Sequence, residues 1–109
     1  MALLTIYMSG NGKKAKSVLH TKVLLKNGVI VEIKIWKVTD KLQYPDRYKY
    51  SLYCVYEGMV LVGYDNHHPK GHHRHVGGTE MPYHFKDLKA LRNDFKADIE
   101  VQLAKRGLS

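Results

Sequence analysis

The dipeptide Asn27-Gly28 lies between two runs rich in Val, Leu and Ile, Ser17 to Lys26 and Val29 to Val38. Asn-Gly is a strong hairpin signal, because both central residues of a type I′ turn take positive φ. It predicts that the two runs pair as antiparallel strands. In the second run Val29, Val31, Ile33 and Ile35 alternate with Ile30, Glu32, Lys34 and Trp36. One face is fully apolar and the other mixed, as in a half-buried antiparallel strand. Thr39 to Asp46 is a polar connection ending in the turn residues Tyr44-Pro45-Asp46. Arg47 to Glu57 reads as a third strand, with Tyr48, Tyr50, Leu52, Cys54 and Tyr56 on one face. Glu57-Gly58 turns the chain into a fourth strand, Met59 to Tyr64. Two hairpins in series imply a meander.

Farther on, Phe85, Leu88, Leu91, Phe95, Ile99 and Leu103 recur at helical spacing. They predict one amphipathic helix over about 86–104. Asp87 suits its positive end, Lys105 and Arg106 suit its negative end, and Gly107 is a stop signal. The expected fold class is α+β, with an antiparallel four- to five-stranded meander sheet packed against one long C-terminal helix. A His-rich loop lies between them. A chain of 109 residues is one domain. Residues 14–109 are read as that domain, and 1–13 as an N-terminal extension or edge strand, with Leu3 to Met8 as the strand candidate.

Cys54 is the one cysteine, so no internal disulfide can form, and this usage points to the cytoplasm. No apolar run approaches the roughly 18 residues of a membrane helix, so no membrane partner is expected. Ala2 to Met8 is too short and lacks a basic flank for a signal peptide. The net charge of +8 favours RNA or an acidic partner protein. There are eight tyrosines, three of them on one face of the third strand. Such rows pack across strands more often than they stack on bases.

Six of the seven histidines fall between Gly63 and Phe85, along with four of the nine glycines. The loop tip His67-His68-Pro69 reads as solvated, His84 as a helix cap, and His20 as an exposed strand residue.

The chain from about Lys14 onward resembles the TumE family of toxin-antitoxin proteins. The resemblance is carried by Asn27-Gly28 with Val31-Glu32-Ile33-Lys34-Ile35-Trp36, then Tyr48-Lys49-Tyr50-Ser51-Leu52, then Val62-Gly63-Tyr64-Asp65-Asn66. Its most specific part is Lys70-Gly71-His72-His73-Arg74-His75-Val76-Gly77-Gly78, followed by Glu80, Pro82-Tyr83 and Phe85. The family pattern tends to carry an acidic residue where His72 stands, so no acid role transfers to that position. The resemblance implies the toxin of a two-component module, silenced by a helix-turn-helix antitoxin and acting as a ribonuclease.

RNA can be cut without metal by its own 2′-hydroxyl, given a base, an acid and a fixed cation beside the phosphorane. His73 and His75 point the same way if their segment is extended, and either can serve as acid or base. Arg74 would then point away from them unless the loop turns. Glu80 or Asp65 is the candidate base or histidine-orienting carboxylate. Lys70 and Arg74 are the candidate phosphate contacts, with Tyr64 and Tyr83 as donors to phosphate oxygen. The expected enzyme is a metal-independent endoribonuclease with no cofactor. Two alternatives stay open. One is a non-catalytic module that binds nucleic acid or protein. The other is a metal-dependent nuclease or metal-binding protein using His72, His73, His75 and Asp65. A homodimer is also left open.

Overall fold

The computed structural model describes residues 15–109. The proposed extension or edge strand at 1–13 lies outside them. Among the described residues six strands and one helix follow in chain order. The strands are β1 (Ala15–Leu24), β2 (Ile30–Val38), β3 (Tyr48–Tyr56), β4 (Met59–Asp65), β5 (His73–Val76) and β6 (Thr79–Pro82), and the helix is α1 (Leu88–Lys105). Each strand pairs antiparallel with the next, in the order β1-β2-β3-β4-β5-β6. The fold is the expected α+β meander, with more strands than the four or five anticipated. The extra pair comes from the histidine segment, which is largely a hairpin and not a loop.

Turn chemistry explains the meander. At Asn27-Gly28 only Gly28 takes positive φ, at 89°. The Gly28 N–H donates to the Leu25 carbonyl at 3.0 Å, and the Leu25 N–H donates to the Val29 carbonyl at 2.8 Å. This is a three-residue loop with a left-handed glycine, not the two-residue type I′ turn expected. Asn27 uses its side chain instead, accepting from the Val29 N–H at 3.0 Å and donating to the Leu108 carbonyl. The two-residue geometry with paired positive φ occurs at Glu57-Gly58 (49° and 77°) and at Gly77-Gly78 (54° and 91°).

Period-2 alternation assigns the two faces. Leu52, Cys54, Val62 and Tyr64 form the core with Leu91, Phe95 and Leu103 of α1. The helix packs against β4. Asp87 caps it by accepting from the Ala90 N–H at 2.7 Å, so His84 is not needed there. At the other end, Gly107 at φ 68° lets the Leu108 N–H reach the Leu103 carbonyl at 2.8 Å. Trp36 is 4% exposed and Cys54 is fully buried. No helix among the described residues is long and apolar enough to cross a membrane.

Candidate active site on the open face of the sheet

The register across the sheet builds two rows of side chains on the face away from α1. One row runs Lys22, Glu32, Tyr53, Gly63, His75, Glu80. The next runs His20, Lys34, Ser51, Asp65, His73, Pro82. Cross-strand partners share a face, and residues two apart share it too. His73 and His75 therefore lie side by side, about 7 Å apart along β5. Strand pairing sets Asp65 beside His73 and Glu80 beside His75.

His73 is held from two sides. Its Nδ1 lies 2.9 Å from the Gly71 carbonyl oxygen, and its Nε2 lies 3.2 Å from Asp65 Oδ1. Nδ1 is at hydrogen-bond distance from its acceptor, and Nε2 faces the Asp65 carboxylate at ion-pair distance. Asp65 also accepts from the Tyr53 hydroxyl at 2.6 Å and from the His67 N–H at 3.1 Å. Burial, followed by Asp65, pushes the Tyr53 phenol above its ordinary range, so it remains a donor. His75 is half-buried, and its ring makes no hydrogen bond or ion pair among the described residues. Glu80 stands opposite it in register and is paired with Lys70. The Lys70 hydrogen bond holds the Glu80 carboxyl below the usual carboxylate range, and His73 and His75 add to this. Glu80 is thus an ionised partner, able to orient an imidazole but not to give a proton.

Arg74, Tyr64 and Tyr83 are elsewhere. Arg74 alternates with the two histidines and faces α1, where its Nη2 meets the Asp98 carboxylate at 3.0–3.1 Å. Its guanidinium lies 5.6 Å from the centre of the Tyr64 ring. Tyr64 is fully buried, and its hydroxyl donates to the same Asp98. Tyr83 donates to Asp94 at 2.6 Å. Burial first, and then these carboxylates, raise both phenols. Of the four candidate phosphate contacts, only Lys70 is brought to the His73–His75 face.

His72 is also separate. Its Nε2 lies 2.8 Å from Asp46 Oδ2, its Nδ1 lies 2.7 Å from the Tyr50 hydroxyl, and its ring stacks on Phe85 with centroids 5.0 Å apart. A neutral ring satisfies both bonds, donating to Asp46 and accepting from Tyr50. The proposed metal set of His72, His73, His75 and Asp65 is divided accordingly. Among the described residues, no three His, Cys, Asp or Glu side chains are grouped to hold a metal ion. His67, His68 and His84 are exposed.

Sequence reasoning did not find the Tyr53–Asp65–His73 chain. A signal was present for the last hairpin, because Gly77-Gly78 between His73–Val76 and Thr79–Pro82 is a hairpin dipeptide. That hairpin pairs β5 with β6 and sets Glu80 beside His75, while Asp65 meets His73 through the separate pairing of β4 with β5.

A family model described as Toxin TumE matches residues 8–103, most of the chain. No curated protein and no solved structure matches it.

Proposed function

Because the chain belongs to the Toxin TumE family and is the toxin component of a toxin-antitoxin module, we propose that it arrests growth by cutting RNA on the open face of its sheet. The observation that carries this reading is the pairing of two unlike histidines on one face. His73 has an acceptor at each ring nitrogen, and His75 has a free ring beside Glu80. His75 takes the 2′-hydroxyl proton, and the 2′-oxygen attacks phosphorus. His73, as imidazolium, stabilises the charge on the phosphorane and returns a proton to the departing 5′-oxygen. The products are a 2′,3′-cyclic phosphate and a 5′-hydroxyl. Lys70 exchanges Glu80 for a phosphate oxygen, leaving the Glu80 carboxylate to orient His75. Lys34, Lys22 and Lys49 extend the positive field along the same face. No step needs a metal ion or cofactor.

The test is cleavage of single-stranded RNA by purified protein in excess chelator. Cleavage is expected to persist, giving cyclic-phosphate ends. It should fall by at least about a hundredfold in His75→Ala and in His73→Ala, the usual scale for removing an acid-base group. Cleavage that survives both substitutions overturns the assignment. Cleavage lost to chelator alone points to a metal-dependent nuclease.

A further inference from the structure

The sheet is wider than its helix. Among the described residues, six strands spaced about 4.8 Å apart span roughly 24 Å between the outer two. The described helix, α1, covers about 10–12 Å with its side chains. Since α1 lies against β4, the same face of β2 and β1 extends past its flank. A groove of about 450 Å³ runs there. Its floor is Val31 and Ile33 of β2 with Phe95 and Ile99 of α1. The register continues the apolar face onto β1, where Val23 opposes Val31 and is 42% exposed. The rim is basic. Lys89, Arg92 and Lys96 line it in one helical stripe, with no carboxylate among the lining residues.

An apolar floor beside a row of three cations has a definite complement. It fits a helix with an apolar stripe flanked by Asp or Glu three and four residues apart, laid alongside α1 at the usual 8–10 Å axial distance. The cations would steer that partner in, and the floor would hold it. Bare phosphate matches only the rim. The module supplies one protein partner, its antitoxin. We propose that the groove between α1 and β2 docks an acidic amphipathic helix of the antitoxin. This rests on the toxin role and not on the RNA chemistry. The groove lies on the opposite face of the sheet from His73 and His75. The docked helix is therefore an anchor, and inhibition falls to the rest of the antitoxin.

The experiment titrates the module's purified antitoxin into the full chain and into the triple variant Lys89→Glu/Arg92→Glu/Lys96→Glu. All three side chains are exposed, so the fold should hold. Binding is expected to weaken by roughly tenfold or more, and the gap between variant and parent to narrow in high salt. Ile33→Ser should weaken binding at every salt concentration. Equal affinity within about twofold for the triple variant and for Ile33→Ser overturns the proposal. So does a triple variant that loses RNA binding and keeps the antitoxin. So does a chain that dimerises alone and becomes monomeric on Ile33→Ser. The His73→Ala chain should bind the antitoxin like the parent, so a failed ribonuclease assignment would leave this result readable.

Discussion

The Tyr53 ring lies directly over Gly63, its partner across the β3–β4 pair. A Cβ placed on Gly63 would meet Tyr53 Cε1 at 2.6 Å and Cδ1 at 2.9 Å. The missing side chain is what lets the phenol lean toward Asp65 and donate to it at 2.6 Å. Asp65 in turn faces His73. A glycine on β4 thereby sets the position of His73 on β5, although its own register partner there is His75.

Gly63→Ala should therefore disturb the site from a distance. Overpacking of this kind costs about 1–3 kcal/mol, and each kcal/mol lowers the melting temperature of a domain this size by about 4–8 °C. RNA cleavage should fall as well, because the displaced phenol no longer anchors Asp65. Thermal melts and cleavage rates check both parts. An unchanged melting temperature would mean that the ring gives way freely.

Tyr53→Phe removes the hydroxyl and keeps the ring. A hydrogen bond to a charged group contributes about 1.5–3 kcal/mol, and the partial exposure of this pair places the loss at the lower end. Because Tyr53 acts through Asp65 on His73, kcat should drop several-fold while KM for RNA holds. A change confined to KM would instead make Tyr53 a base-stacking residue.

Lys70 and Arg74 should separate cleanly. Lys70→Ala should raise KM for RNA and leave the melting temperature within about 1 °C, since exposed ion pairs contribute little. Arg74→Ala should do the opposite. It strips Asp98 of one partner at a half-buried site, with a stability loss of about 1–3 kcal/mol and little change in KM. Asp98→Ala should cost more, because it also leaves the buried Tyr64 hydroxyl without its acceptor. Urea melts beside steady-state kinetics on the same variants decide this. A raised KM in Arg74→Ala would place its guanidinium at the phosphate after all.

Alkaline pH should unfold the protein early. Tyr50 and Tyr64 are 1% and 0% exposed, and burial pushes both phenols well above their ordinary range. A raised folded pKa means that the unfolded chain sheds its phenolic protons first. The stabilising contribution is complete below about pH 10 and declines as pH rises beyond it, by at most about 1.4 kcal/mol per pH unit for each buried tyrosine. Lys49 works in the other direction. Burial lowers its ammonium pKa, so stability gains as pH rises through that lowered value, and the gain ends near pH 10.5. The melting temperature should fall most steeply above that point, and less steeply in Tyr64→Phe. A flat profile from pH 10 to 12 would contradict the assignment.

How far the site could be read from residues depends on which step is local. Alternation along the third strand put Tyr53 and Tyr50 on opposite faces, and the structure agrees. The same rule made His73 and His75 neighbours and sent Arg74 away, provided the segment was extended. That condition was the weak point. His73-Arg74-His75-Val76 is four residues long and mostly polar, and its strand character comes from hydrogen bonds to β4 more than from its own side chains. At Asn27-Gly28 the dipeptide signalled a hairpin correctly. The turn type followed from how Leu25 and Val29 close the loop, which no dipeptide encodes.

By itself the sequence determined the number of layers, the order of β1 to β4 and the helix, and which residues of those elements share a face, because these follow from periodicities of two and 3.6 and from turn residues that act over a few positions. Only the tertiary structure decided which face of the sheet α1 covers. Burying Leu52, Val62 and Tyr64 under Leu91 and Phe95 sends Arg74 to Asp98 and gathers His73, His75, Asp65 and Glu80 on the opposite face. That choice depends on burial summed over the whole molecule, and no window of neighbouring residues contains it.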